Sequence, residues 1–332
     1  MKQDKNFRVY VTRDFEQMSQ TAANIAIGKI ADFVPFGEKP FFNLILPTGK
    51  SPTGMYKIIQ DRQDCFDASV VVSHNLDEYV GLPGTTITDR LMHPEGYAFF
   101  MIQQLFSGLK TPFHEWHVPR GCEIEQGKLE QVLKEYRENP TAYNFEGVVD
   151  EKQGLAIAIP NNSESDYLNW IKKEILDSYI ASIKRNGKVD LAVVGVGGRG
   201  HIAFHESGIP LNLEMLLVKL DENTIENSVK DRHFASKEQS PKYAVSVGAG
   251  FVYNPDYNSE ILLLANGKRK TEPIGEALLG RVTDMVPISG CQEFAKYGKV
   301  IWVIDEIAAG NILGKESVLK EKGIQVTDLR SK

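Results

Sequence analysis

Residues 42–60 read FNLILPTGKSPTGMYKIIQ. Phe42–Leu46 is a near-continuous apolar run of strand length, as expected of a strand buried on both faces. Pro47-Thr48-Gly49-Lys50 ends it. A helix is then predicted over Met55–Gln60, entered through Ser51-Pro52. Strand, glycine loop and helix make one βα unit of a parallel sheet, and the loop lies at the carboxyl end of the strand, where such sheets place ligands. Small residues there let backbone N–H groups approach an anion. The helix N-terminus adds partial positive charge, and Thr48 and Ser51 add hydroxyls. An ordinary turn that needs glycine for its geometry would read the same way. The embedded Gly49-Lys50-Ser51 is not a nucleotide P-loop, because Leu44 stands where that pattern needs its first glycine.

Further apolar runs of strand length repeat the unit along the chain: Val70–Ser73, Val189–Val194, Ala244–Val247, Glu260–Ala265 and Lys299–Ile304. Helices are expected over Glu95–Phe106 and over Lys270–Leu279, the latter closed by Gly280. This alternation predicts an α/β fold with a parallel sheet covered by helices. The stretch 119–187 differs. It holds charged and polar segments, a candidate strand at Gly154–Pro160, and one long helix starting at Ser165 or Asp166 and stopping at Gly187. That helix carries an apolar stripe of Tyr167, Leu168, Trp170, Ile171, Ile175, Leu176, Tyr179, Ile180 and Ile183. The stretch reads as an insertion packed on the main sheet of a single domain spanning 1–332.

The chain has 332 residues, 42% apolar and 25% charged, enough for a sizeable core. Lys and Arg number 38 against 44 Asp and Glu, a net charge of −6. Such a chain is a poor general binder of nucleic acid, which needs clustered cations, so an anionic ligand must meet a local site. Three widely spaced cysteines, Cys65, Cys122 and Cys291, fit a reducing compartment better than a disulfide framework. No run reaches the roughly 20 apolar residues of a membrane span, and residues 1–15 hold no stretch of signal-peptide type. A cytoplasmic protein is expected.

Two further segments carry chemistry. In S73-H74-N75-L76-D77-E78-Y79-V80-G81-L82-P83, Asp77 and Glu78 are adjacent carboxylates at a strand end, either general acid–base groups or a solvated loop pair. In G195-V196-G197-G198-R199-G200-H201-I202-A203-F204-H205-E206, the glycines spell GxGxxG after a strand. The dinucleotide fingerprint should open an amphipathic helix, but Ser207-Gly208 and Pro210 break the chain too soon. His201, His205 and Glu206 lack the order and the further ligand of a zinc site, so no metal is expected. The preferred reading is a loop holding His201 and Glu206 near a substrate, with His201 able to change protonation near neutral pH.

Taken together and in this order, LPTGKSPTGMY, NLDEYVGLP and GVGGRGHIAFHE resemble the glucosamine-6-phosphate deaminase (isomerase) family. PKYAVSVGAG before LLLANGKRK, and MVPISGCQ before KVIWVID, are weaker matches in the same order. The related 6-phosphogluconolactonases share the phosphate loop and the glycine-rich His loop but lack DEYVGLP. The resemblance implies a Rossmann-like three-layer α/β sandwich with a mostly parallel sheet and a small extra sheet. It also implies a reaction without metal or redox cofactor, in which an amino-sugar 6-phosphate is opened, isomerised between C1 and C2, and loses ammonia. It makes Asp77 the general base, His201 the ring-opening group and Glu206 its carboxylate partner. Thr48, Gly49, Lys50 and Ser51 match the phosphate loop, and Lys268 and Arg232 match further phosphate ligands. The expected partner is a small sugar phosphate, with no nucleic acid and no membrane, and the resemblance leaves room for a homo-oligomer.

The chain departs from the family at Arg199, where Asp or Asn is usual, and at His205, where Asn is usual. Arg199 would either oppose the cation on His201 or point into the pocket to meet an extra anionic group. Both residues are therefore candidates for specificity. A lactone hydrolase on the same scaffold and a non-catalytic sugar-phosphate sensor are the competing readings.

Overall fold

The computed structural model describes residues 6–148, 152–230 and 233–331. Among them are β1 (Phe7–Thr12), β2 (Phe42–Leu46), β3 (Val71–Asn75), β4 (Asp77–Val80), β5 (Glu115–His117), β6 (Asn144–Glu146), β7 (Leu155–Ala158), β8 (Leu191–Gly195), β9 (Met215–Lys219), β10 (Tyr243–Val247), β11 (Glu260–Ala265), β12 (Lys299–Asp305) and β13 (Ile324–Asp328). Eight strands form one sheet in the order β13-β1-β12-β11-β8-β2-β3-β5, every pair parallel. Five form a second, antiparallel sheet in the order β4-β10-β9-β7-β6.

The alternation of side chains along β2 builds the layers. Phe42, Leu44 and Leu46 join a core beneath helices Phe15–Ala31 and Thr53–Asp61, through Met18, Ala22, Met55, Tyr56 and Ile59. Ile45 faces the opposite core, where Ile180, Ile183, Ile274 and Leu278 cover the sheet. The main sheet is thus buried on both faces, as its near-continuous apolar strands require.

The chain runs outward from β2 to β3 and β5, then returns to β8 on the other side of β2. Loops leaving β2 and β8 therefore diverge and open a crevice at the carboxyl end of the sheet, the topological switch point of an open α/β fold. Only Leu44–Leu191 and Ile45–Ala192 are in register between these two strands.

The expected long helix starts at Asp166, with Ser165 Oγ accepting from the Leu168 amide, and ends at Arg185, before Gly187 at φ 74°. Its middle, Ile171–Asp177, is π-helical, which the apolar stripe did not foretell. Two expectations are corrected. Ala244–Val247, read as a strand of the parallel sheet, belongs to β10 at the centre of the antiparallel one. The 119–187 stretch packs mainly on that second sheet, with Leu168, Ile171, Ile175 and Leu176 against Val80, Leu217 and Val245. Only Tyr179, Ile180 and Ile183 reach the main sheet. Gly154–Pro160 does contain a strand, β7. No helix among the described residues is long and apolar enough to cross a membrane.

The Tyr179 hydroxyl donates to Asn75 O at 2.6 Å, tying the long helix to the last residue of β3. Tyr179→Phe leaves the helix core intact and withdraws that donor from a buried carbonyl. It is expected to lower unfolding free energy by about 1–2 kcal/mol. Urea titration at equilibrium checks this, and an unchanged midpoint would show that the bond carries no weight.

Candidate functional site

The chain passes from the main sheet to the second sheet in a single residue. β3 ends at Asn75 and β4 begins at Asp77. Between them, Leu76 donates its amide to Leu46 O of the main sheet at 3.2 Å, and its carbonyl accepts from the Val247 amide of the second sheet at 2.7 Å. Asp77 is therefore fixed at the seam between the sheets. It is 4% exposed, and its nearest polar partner is the Thr48 hydroxyl at 3.4 Å. Burial pushes its carboxyl well above the usual carboxylate range; Glu78 adds to the rise and Thr48 opposes it.

Glu78, adjacent in sequence, meets a different environment because successive strand residues face opposite ways. Its carboxylate accepts the amides of Tyr79, Tyr97 and Ala98 at 2.8, 3.0 and 2.9 Å, at the start of helix Tyr97–Gln104. Burial still pushes it up to about 7 against those three donors. Glu78 holds a helix end in place, while Asp77 faces a cavity of about 250 Å³.

The loop after β8 folds back on itself to bring His201 and Glu206 together. The Gly197 amide bonds His201 O at 2.8 Å, and the His205 amide bonds Ile202 O at 2.8 Å. Gly200 at φ 79° and Ala203 at φ 47° make the reversals. An alanine in the left-handed region is strained, a state that structures maintain chiefly at functional sites. Glu206 lies behind the imidazole, 2% exposed, with Oε2 3.1 Å from His201 Nδ1. Burial alone would raise this carboxyl, but His201, the Thr224 hydroxyl and the Asp221 amide hold it below its usual range. With Nδ1 turned to a carboxylate, the proton belongs on Nδ1, and Nε2 is the free basic nitrogen. The ring edge bearing Nε2 lies over Gly197, where an added Cβ would come within 2.0 Å of that nitrogen.

The cavity lies in the crevice between β2 and β8. Thr48, Gly49, Lys50, Ser51, Asp77 and His201 all line it. Ser51 Oγ donates to Asn266 Oδ1 at 2.7 Å, which ties the loop after β2 to the loop after β11. That second loop turns at Gly267, φ 82°, into a short 3-10 turn, Lys268–Lys270. The turn leaves Lys268 outside the lining and brings Arg269 and Lys270 into it. Arg232 lies outside the described residues.

Two other expected site residues lie off the cavity. His205 points into the core, accepting from the Ala249 amide at Nδ1 (3.0 Å) and facing Ile209 O from Nε2 (3.1 Å). Burial drives it down to about 4, so it is a neutral structural residue. Arg199 turns away from the cavity and pairs with Asp221 at 2.7 Å. Sequence reading missed the aromatic wall of Tyr79, Tyr97 and Phe204, together with Thr224, Asn227 and Ser228 from helix Glu222–Lys230. Tyr79 was accessible to it, since it stands two residues from Asp77 on a strand. His201, His205 and Glu206 do not converge, and no described group of three or more His, Cys, Asp or Glu residues is arranged to hold a metal.

No protein-family model matches the chain. A curated glucosamine-6-phosphate deaminase from Alkaliphilus oremlandii (strain OhILAs) is 30% identical over 303 residues, covering 91% of this chain and 98% of its own. Among solved structures, a monomeric glucosamine-6-phosphate deaminase described as a missing link of the NagB superfamily has a TM-score of 0.65 at 24% identity, covering 92% of this chain and 99% of that one. A 6-phosphogluconolactonase from Plasmodium vivax has a TM-score of 0.58 at 15% identity, covering 92% and 94% of the two chains. The two structures share the fold with this chain. The sequence relative, at its identity and coverage, shows the family.

Gly197→Ala would place a methyl carbon 1.9 Å from His201 Cδ2. The imidazole must move, and its Nδ1–H bond to Glu206 is expected to break while the fold persists. The downfield imidazole proton in an NMR spectrum reports the bond directly. Its survival in the variant would show that the glycine is not needed for His201 placement.

Proposed function

The chain belongs to the glucosamine-6-phosphate deaminase family, and we propose that it converts glucosamine 6-phosphate and water to fructose 6-phosphate and ammonia. The observation that carries this reading is Asp77, a buried carboxylate facing the cavity with few partners of its own, opposite the His201–Glu206 pair. The phosphate would rest on the loop Thr48–Ser51, with Lys50, Arg269 and Lys270 supplying charge around it. That anchor directs the sugar's other end toward Asp77 and His201.

His201 Nε2 takes the proton of the C1 hydroxyl and hands it to the ring oxygen as that oxygen leaves C1, and Glu206 stabilises the intervening imidazolium. Asp77 then removes the C2 proton and returns it to C1, while a proton of the C2 ammonium passes to the former aldehyde oxygen. The C2–N bond is then an iminium; water adds at C2, one of its protons passes to the nitrogen, and ammonia leaves as the other is lost and the C2 ketone forms. A carboxylate suits this work because burial raises its proton affinity and excludes competing water. A lactone hydrolase would need no base for a carbon acid and would release no ammonia. A sensor would bind the sugar phosphate without turnover. A cytoplasmic setting belongs to the same reading, supported by three free cysteines.

Asp77→Asn is expected to lower kcat by about 10²–10⁴-fold with substrate binding retained. Ammonia and ketose phosphate are measured together, and undiminished release would remove Asp77 from the mechanism. Because the base must be ionised, activity is expected to fall as pH drops through the Asp77 pKa. Read in kcat/KM, which reports the free enzyme, this acid limb should lie above the ordinary carboxylate range, in the direction that burial imposes. Lys270→Met should raise KM about 10–100-fold, the worth of a charge-assisted phosphate contact. Lys268→Met should leave KM within about twofold, since its side chain stands off the cavity. Steady-state kinetics of the two variants decides between them.

A further inference from the structure

Arg199 stands two residues before His201, a position from which its charge would oppose a proton on the imidazole. The structure disposes of that charge in a particular way. Arg199 Nη1 donates to Asp221 Oδ2 at 2.7 Å and Nη2 to Gln153 Oε1 at 3.2 Å. The Asp221 side chain is 2% exposed. It lies just before helix Glu222–Lys230, where its Oδ1 accepts the Asn223 amide at 2.7 Å. The Asp221 amide in turn faces Glu206 Oε1 at 3.4 Å, and Glu206 Oε2 faces His201 Nδ1 at 3.1 Å. Gln153 belongs to a turn that presses on the same carboxylate: a Cβ at Gly154 would lie 2.5 Å from Glu206 Cγ. Arg199, Asp221, Glu206 and His201 thus form one continuous row, with two buried carboxylates in the middle, the Arg199 guanidinium at one end and the His201 imidazole at the other.

We propose that Arg199 and Asp221 are a compensated pair that positions and electrostatically isolates His201–Glu206. Asp221 cancels the arginine charge so that His201 can take up a proton during ring opening. Arg199 in turn allows Asp221 and Glu206 to lie side by side as anions. Both are positioning residues, because neither lines the cavity. The role in ring opening rests on the deaminase reading above, whereas the charge coupling does not.

The plainer alternative makes Asp221 a helix cap and nothing more. Asn and Ser cap helices about as well as Asp but carry no charge, so Asp221→Asn and Asp221→Ser separate the two roles. The experiment follows the His201 imidazole by NMR on the full chain labelled with ¹⁵N-histidine, the resonance being assigned by its loss in His201→Gln. Glu206, Lys50, Asp77, His233, Arg269 and Lys270 surround the imidazole, with His205 behind the loop. All are unchanged across the series, so differences report the pair.

In Asp221→Asn and in Asp221→Ser, Arg199 is left uncompensated, and the His201 titration midpoint is expected to fall by roughly half to one pH unit. In the double variant Arg199→Gln/Asp221→Asn it should return to the wild-type value, and the rate of ammonia release from glucosamine 6-phosphate should recover with it. A midpoint in both folded single variants equal to that of wild type would reduce Asp221 to a cap and overturn the proposal. If the midpoints shift and recover as stated while the wild-type protein releases no ammonia, the pair stands and the deaminase reading fails.

Discussion

The site depends on Leu76. Its amide belongs to the parallel sheet and its carbonyl to the antiparallel one. A residue bonded in both directions cannot shift along either strand without breaking a ladder, so Asp77 inherits the register of two sheets at once. Asn75 strengthens the junction: its side-chain amide donates to Leu46 O at 3.1 Å, and its carbonyl receives the Tyr179 hydroxyl. Asp77 is therefore mounted on backbone geometry rather than on a loop. Lys50, Arg269 and Lys270, by contrast, line the cavity from the connections that follow β2 and β11.

The glycine-rich loop solves a different problem. His201 and Glu206 are five residues apart and must meet almost face to face. A helix would separate their side chains, and a strand would carry them further still. Two reversals in left-handed backbone and a bare Cα at Gly197 bring them together instead. Gly200 has a second reason to lack a side chain, since a Cβ there would lie 2.8 Å from Val286 Cγ1. Gly197 and Gly200 thus each have a local reason to lack a side chain that needs no dinucleotide to explain it.

Much of this was legible in the sequence, and what was not has identifiable causes. β2 and β11 coincide with the expected runs because a strand buried on both faces is apolar throughout. The same uniformity hid the placement of β10: an apolar run records burial but neither its partner nor its direction. Asp77, His201 and Glu206 emerged because each lies in a short segment whose residues serve one local geometry. Lys268 was named by resemblance alone, and the 3-10 turn that brings Arg269 and Lys270 into the lining has no sequence signature of its own. Thr224, Asn227 and Ser228 share a helix face by their spacing, but which face meets the cavity is set by how β9 and β10 pair. For Arg199 the sequence left two readings, a charge opposing the His201 cation or a pocket group; its partner Asp221 is 22 residues away, and only the fold brings the two together.

The charge layout also bears on the kind of substrate the cavity favours. Lys50, Arg269 and Lys270 line it together with Asp77, a buried carboxylate whose hydrogen-bond partner is the Thr48 hydroxyl. In an empty cavity burial favours the protonated form of Asp77, with Glu78 adding to the rise and Thr48 opposing it. A phosphorylated sugar with a hydroxyl at C2 would leave that unchanged. One with an ammonium at C2 delivers a cation beside the carboxyl, and an adjacent opposite charge favours the ionised form. The amine therefore favours the ionised carboxylate in a way that a neutral lactone does not.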